Sequence, residues 1–453
     1  MTTSRQALVS RTRLNDLRKT LTAEVVSGKG VGLDGLRLSD LANPPGLAWQ
    51  RTCRLVQTRM RTGAYTYTPY REILVSKGRD HYPRVISIPT VRDRLALKVL
   101  SQLLHDIYGV SGPQIAQRMV GRINTQSPNW SGFVRIDLED YFGSIDHQLL
   151  METLTRSVPS RAVQRLILAA IRNPTVPAGP RSARTPAPAG IPQGLSISSA
   201  LAEIFLSDLD QEWCNRTSVR YFRYVDDILV LCNANQAPAI FGELESQLKD
   251  RLLCPHPLGP NSKSSIGDMS VGFDFLGYHF STVGTAISAK GMSKIENRVA
   301  ATFGEFRRMN SHGSRGRLSW LNWKISRLAC GVIFEGEHRG WLKFYSRTND
   351  ISGLHHLDAL VRQLADRSGV PKKVRLKKFV KAYYVTRSGH ALTEYIPNPA
   401  NWSPQVARAH LVDVDGWEQA KVMALEPGEL LVAVNRVLAR DLTDLERDLD
   451  TQS

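Results

Sequence analysis

Two adjacent carboxylates, Asp226 and Asp227, interrupt an otherwise apolar run, Phe222-Arg-Tyr-Val-Asp-Asp-Ile-Leu-Val-Leu231. The flanking residues, 220–224 and 228–232, are rich in aromatic and β-branched side chains and read as two strands of a hairpin with the aspartates at its turn. No structural need of a hairpin puts two negative charges side by side. Confining them raises their mutual repulsion, and a divalent cation with hard oxygen ligands is the usual remedy. The bland alternative is a solvated Asp-Asp turn, which an isolated pair most often is.

A second strand shifts the balance. Residues 133–137 are largely apolar and end on an aspartate, in Arg135-Ile-Asp-Leu-Glu-Asp-Tyr-Phe-Gly-Ser-Ile-Asp146, 89 residues before Asp226. That spacing holds a helix, a loop and another helix. An aspartate at a strand end beside an Asp-Asp hairpin is the arrangement for two-metal phosphoryl transfer, in which two ions clamp the attacking and leaving oxygens. Taken singly, Asp137, Asp140 and Asp146 would each serve as helix caps.

Charge points the same way. Of 453 residues, 59 are Lys or Arg and 42 are Asp or Glu, a net charge of +17 that favours a polyanionic partner, nucleic acid first and an anionic membrane surface second. No run of 18 apolar residues occurs, so a membrane span is not expected. The N-terminal stretch has no apolar core of a secretory signal, and the expected location is the cytoplasm. Cys53, Cys214, Cys232, Cys254 and Cys330 show no metal-like spacing and read as reduced thiols. His355 and His356 have no ligand partner at a metal spacing and are assigned no metal.

Along the chain, residues 1–60 read as helical pieces, 65–89 as strands around the turn-prone Lys77-Gly-Arg-Asp80, and 91–108 as an amphipathic helix. A helix is expected over 146–172, a Pro- and Ala-rich loop over 173–190, and a helix over 196–209, which Ser196 or Ser198 would cap. Beyond Phe280 the chain turns mainly helical and basic. There Lys373, Lys377 and Lys381 fall at i, i+4 and i+8, on one face of a helix suited to tracking a phosphate backbone.

Four segments in this order carry a family resemblance: Asp137-Leu-Glu-Asp-Tyr-Phe142, Gly190-Ile-Pro-Gln-Gly-Leu-Ser-Ile-Ser-Ser-Ala-Leu-Ala202, Tyr224-Val-Asp-Asp227 and Phe273-Asp-Phe-Leu-Gly-Tyr-His-Phe280. They resemble the first catalytic motif, the (L/I)-P-Q-G box, the Y-x-D-D box and the primer-grip hairpin of bacterial reverse transcriptases. The chain is similar to group II intron and retron enzymes and most resembles the defence-associated and abortive-infection type. The fold this implies is α+β. A right-hand polymerase with fingers and an antiparallel palm sheet (61–280) would follow an N-terminal helical extension (1–60) and precede a helical, basic thumb (281–385) and a C-terminal extension (386–453).

The activity implied is RNA-directed DNA polymerase, adding dNTPs to a primer 3′-hydroxyl. Asp137, Asp226 and Asp227 would be the catalytic carboxylates, with two Mg²⁺ (Mn²⁺ as the alternative) held by Asp137, Leu138, Asp226 and Asp227. Lys77 and Arg84 would grip the triphosphate, Arg79 competing with Arg84 for the register. Phe142 would crowd a ribose 2′-hydroxyl, and Gln193 and Gly194 would approach the nucleotide. Lys263 would protonate pyrophosphate as general acid, or remain a solvated loop lysine. The partners implied are dNTPs and a structured noncoding RNA template giving an RNA–DNA hybrid, with no membrane and with self-association left open.

Alternatives share the palm or lack its chemistry. One is template-independent or protein-primed DNA synthesis, with Tyr383 or Tyr384 offering the first hydroxyl. An RNA-dependent RNA polymerase is disfavoured by Phe142 and the P-Q-G box, and a noncatalytic RNA-binding scaffold by three intact aspartates. Neither a Cys-rich or H-N-H unit nor the N-A-x-x-H and V-T-G signatures of retron enzymes occurs. By analogy the expected role is antiphage defence.

Overall fold

The computed structural model describes residues 31–37, 47–76, 82–109, 116–178, 185–260, 262–309, 314–388 and 394–450. They form a mixed α+β chain in two compact units, residues 1–114 with 132–266, and residues 115–131 with 267–453. The hairpin at 273–280 groups with the second unit, as does the segment 115–131.

The strands of the first unit are β1 (Tyr70–Val75), β2 (Arg84–Ile88), β3 (Gly132–Asp137), β4 (Thr175–Val176), β5 (Arg220–Tyr224), β6 (Asp227–Cys232) and β7 (Ser265–Asp268), the last of which runs past the unit's end. A small sheet has the order β2-β1-β4. The larger, in the order β5-β6-β3-β7, carries the aspartates. β6 is buried along its whole length, which is why it reads as a continuous apolar run and not as an alternation. The Ala237–Lys249 helix packs on β3 and the Ser207–Cys214 helix on β5. Val134, Ile136, Ile228 and Val230 share one core with Leu201, Leu209, Leu244 and Leu248. Removing that apolar surface from water is the main force holding the strands in register.

Local signals set most helix ends. The Val91–Tyr108 helix starts where Thr90 accepts from the Asp93 amide and stops at Gly109 in the left-handed region. The helix expected over 146–172 is two, His147–Ser157 and Arg161–Arg172, because Pro159 excludes Val158 from helical geometry. Asp146 does cap the first of them. The helix expected over 196–209 also divides, into Ser198–Phe205 and Ser207–Cys214, with the Ser207 hydroxyl donating to the Ile204 carbonyl. Ser198 is no cap: its hydroxyl donates to the Pro192 carbonyl at 2.6 Å. The stretch read as loop contains β4, which pairs in parallel with β1.

In the second unit an antiparallel meander, β8 (Phe273–Phe275), β9 (Tyr278–Ser281) and β10 (Gly284–Ile287), precedes a mainly helical remainder. Tyr278 stacks in an aromatic core with Phe344, Tyr345 and Trp341. Asn124, from the Ala116–Gln126 helix, accepts from Thr285 at 2.6 Å and donates to the Arg347 carbonyl at 3.1 Å, which ties that helix into this unit.

The basic helical face expected at Lys373, Lys377 and Lys381 does not form. The helix begins only at Phe379, so Lys373 lies outside it in a turn, Lys377 precedes it, and Lys381 alone is helical. Asp358, from the Ser352–Arg367 helix, accepts from the amides of Phe379 and Val380 and fixes the start. Lys377 donates to the Tyr395 carbonyl, and the Lys381 ammonium lies 4.5 Å from the centroid of the Tyr395 ring. Among the described residues no helix is long and apolar enough to cross a membrane, and none of the five cysteines is joined to another by a disulfide.

Candidate active site

The antiparallel register of β3 and β6 sets Asp137 opposite Asp227, and the β5–β6 turn carries Asp226 beside them. Three carboxylates thus meet at one end of the larger sheet. Asp137 and Asp227 are buried. Burial raises the Asp226 carboxyl above the ordinary range, and the charge of Asp137 adds to the rise. Burial likewise pushes the Asp227 carboxyl up to about 6, with Arg135 opposing and Asp137 and Asp226 adding.

Basic side chains surround the cluster. Arg135 Nη2 is 3.1 Å from Asp227 Oδ1, and Lys263 Nζ and His256 Nε2 are each 3.1 Å from Asp137 Oδ1. His256 Nδ1 lies 3.1 Å from Glu139 Oε1. The charge of Arg84 reaches Asp226. His256 and Lys263 arrive on one segment, which closes on the end of β3: the Glu139 amide donates to the Cys254 carbonyl, and the His256 amide to the Asp137 carbonyl. The Asp137 amide donates to Ser264 Oγ at 3.2 Å.

An all-carboxylate donor set suits a hard cation such as Mg²⁺ or Mn²⁺, and the burial of Asp137 and Asp227 beside the partly buried Asp226 makes neutralisation favourable. Among the described residues no three acidic, histidine or cysteine side chains are already gathered as ligands. Asp137 and Asp227 are turned instead toward Lys263, His256 and Arg135, contacts that a bound cation would replace. The Leu138 side chain is in the core, so only its main-chain carbonyl could contribute.

The P-Q-G segment docks on the first aspartate motif. The Ile191 amide donates to the Phe142 carbonyl at 2.7 Å and the Gly190 amide to the Ile145 carbonyl at 2.9 Å. Phe142 lies on the short Tyr141–Ser144 helix, half-buried, its ring edge-on to Tyr141. The Ser87 amide of β2 donates to the Gln193 carbonyl at 2.7 Å. Gly194 has φ +101°, and a Cβ there would sit 2.9 Å from both Ile86 Cγ2 and the Ser87 carbonyl. Its glycine is thus required by backbone conformation and by the approach of β2. Lys77 and Arg79 lie outside the described residues.

Tyr383 and Tyr384 differ sharply. Tyr383 is buried, its hydroxyl donating to the Thr348 carbonyl at 2.7 Å, whereas Tyr384 is 58% exposed. His356 pairs with Glu296 at 3.1 Å.

Sequence reasoning missed three groups. Arg135 and Arg223 carried a signal, a cation flanked by apolar and aromatic residues of a strand. His256 carried none, since only the chain fold brings it to Asp137.

Residues 76–280 match the family model described as reverse transcriptase (RNA-dependent DNA polymerase). Protein YkfC of Escherichia coli (strain K12) is 23% identical over 357 residues, 66% of this chain and 87% of that protein. The group II intron-encoded protein LtrA of Lactococcus lactis subsp. cremoris is 24% identical over 194 residues, 41% of this chain and 31% of LtrA. A solved structure of telomerase from Candida albicans, in complex with a fragment of telomeric RNA, is similar over 80% of this chain and 65% of the telomerase chain, at 13% identity and a TM-score of 0.39. The chain therefore spans most of YkfC but under a third of LtrA.

Proposed function

Given a chain that carries a reverse transcriptase domain, that of an RNA-directed DNA polymerase, we propose that it copies an RNA template by adding deoxynucleotides to a primer 3′-hydroxyl. The observation that carries this reading is the juxtaposition of Asp137 and Asp227 across β3 and β6 with Asp226 in the adjoining turn. Two Mg²⁺ ions held by Asp137, Asp226, Asp227 and the Leu138 carbonyl would activate the attacking hydroxyl and neutralise the leaving pyrophosphate. The chain's own groups do the rest. Arg84, whose positive charge reaches Asp226, would help hold the triphosphate. Lys263, which contacts Asp137, would give a proton to pyrophosphate once released from it. Phe142 presents a half-buried ring beside Tyr141, where it would exclude a 2′-hydroxyl. Lys381 and the net positive charge attract the nucleic-acid backbone.

The template we favour is a structured noncoding RNA and the role antiphage defence, on the resemblance of the four motifs to defence-type enzymes. A second reading, DNA synthesis primed by a protein hydroxyl, is favoured by the exposure of Tyr384.

Primer extension on an RNA template, comparing wild type with Asp137→Asn and Asp226→Asn, tests the first reading. It requires extension by wild type alone, stronger with dNTPs than rNTPs. Product covalently attached to the protein and lost in Tyr384→Phe would favour the second. Plaque counts on cells carrying wild type or Asp226→Asn test the biological role, and equal counts would refute it.

A further inference from the structure

Arg223 lies in β5 between Phe222 and Tyr224 and is only 5% exposed. A buried guanidinium is expensive unless all its donors are used, and here they are shared among three elements. Nε donates to Asp210 Oδ1 at 2.8 Å and Nη2 to Asp210 Oδ2 at 2.5 Å, a bidentate pair. Nη2 also donates to Glu203 Oε2 at 2.9 Å, and Nη1 donates to the Val225 carbonyl at 2.9 Å. Tyr221 completes the cluster, its hydroxyl donating to Asp210 Oδ1 at 2.9 Å. Glu203 lies on the Ser198–Phe205 helix that follows the P-Q-G turn, and Asp210 on the Ser207–Cys214 helix. One side chain thus joins both helices to the aspartate turn.

The bond to Val225 matters because of what Val225 is doing. Its φ is +59°, in the left-handed region, where a β-branched residue is a strained outlier. A hairpin turn with a positive φ at its first central position prefers glycine there. The strained conformation persists only if something outside the turn holds it. The Val225 carbonyl belongs to the peptide that leads into Asp226, so fixing that carbonyl fixes the plane from which the Asp226 side chain departs.

We propose that Arg223 is a positioning residue: anchored by Asp210 and Glu203, it holds the Val225–Asp226 peptide in its strained turn and thereby aims Asp226 at the metal. The proposal rests on the polymerase reading for its purpose, but the aim of Asp226 can be read without catalysis. Lysine at 223 keeps the charge yet has no planar fork to reach Asp210, Glu203 and Val225 together.

The test is Mn²⁺ binding to the purified full chain, followed by electron paramagnetic resonance, for wild type, Asp226→Asn, Arg223→Lys, Asp210→Asn, and Arg223→Lys combined with Val225→Gly. Thermal melts report folding of each. Asp226→Asn defines the relevant site by weakening binding. Arg223→Lys should weaken Mn²⁺ binding about 10–100-fold, as loss of an outer support for a metal ligand does. Asp210→Asn should shift it in the same direction. Val225→Gly should return part of the Arg223→Lys loss, because glycine takes the positive φ without strain. In activity assays Arg223→Lys should lower kcat more than it raises the KM for dNTP.

Wild-type affinity in folded Arg223→Lys, or in Asp210→Asn where Arg223→Lys does not fold, would overturn the proposal. So would a double variant no better than Arg223→Lys alone. Wild type without Asp226-dependent Mn²⁺ binding would overturn it together with the metal site. Mn²⁺ binding that follows the expected order in a chain that incorporates no dNTP would uphold the positioning and sink the polymerase reading.

Discussion

At the scale of single residues, opposing charges compete for a few oxygens. Asp137 Oδ1 is shared by Lys263 and His256, each at 3.1 Å, so a cation entering the site displaces two protein contacts. On the proposed reading Phe142 would act by bulk alone, and its contribution is measurable by exchange. Phe142→Val should leave dNTP incorporation within a few-fold while the preference for dNTP over rNTP, as a ratio of kcat/KM, falls by about 10–200-fold, the range that a gain or loss of steric contact supplies. An unchanged ratio would remove Phe142 from the sugar pocket. The three aspartates were legible in the sequence because Asp137 and Asp227 lie at strand ends and Asp226 in the turn between two strands, features written in local apolar patterning. His256 was not, because it reaches Asp137 through the antiparallel bridge between Leu138 and Pro255, a pairing across more than a hundred residues.

At the scale of elements, close approaches between backbones set what each motif can tolerate. Gly194→Ala places a methyl group against Ile86 and the Ser87 carbonyl at a φ of +101°. It should destabilise the protein by about 1–3 kcal/mol and raise the KM for dNTP, both read from melts and steady-state kinetics. The misread lysine stripe shows where sequence reasoning ends. The i, i+4, i+8 spacing of Lys373, Lys377 and Lys381 satisfied a helical period, but the helix start is dictated by the Asp358 carboxylate, a partner on another helix. Local periodicity carries no trace of such a cap.

A second polar cluster, in the second unit, gives a pH signature. His410 packs against Trp323 and Trp402, near Asp415, and Asp441 pairs with Arg327 at 2.6 Å. Burial pushes the Asp415 carboxyl up to about 6, with Asp441 adding, and holds the His410 ring down at about 4. A raised carboxyl stabilises the fold fully below its unfolded pKa near 4, and that stability is lost as pH rises through 6. A depressed imidazole works oppositely: its stability is whole above 6.5 and is lost as pH falls through 4. Asp415→Asn should therefore raise Tm at pH 7–8 but not at pH 4, and His410→Phe should blunt the acid-side loss of Tm. Melts across pH 4–8 decide both.

At the scale of the whole molecule, a basic chain of net charge +17 carries a reverse transcriptase domain over 76–280, and nucleic acid is what joins the two facts. Composition announced the charge, and motif order announced the domain. Contacts between distant parts of the sequence group 115–131 with the later part of the chain, which no local pattern records. The central claim is that Asp226 and Asp227 drive RNA-templated DNA synthesis. The most direct measurement is to purify the protein with its bound nucleic acid and supply labelled dNTPs and Mg²⁺, with and without prior RNase. Asp226→Ala/Asp227→Ala runs alongside. The account predicts labelled DNA from wild type that disappears both on RNase treatment and in the double variant, its sequence complementary to the bound RNA. DNA synthesis that persists after RNase, or in the double variant, would contradict it.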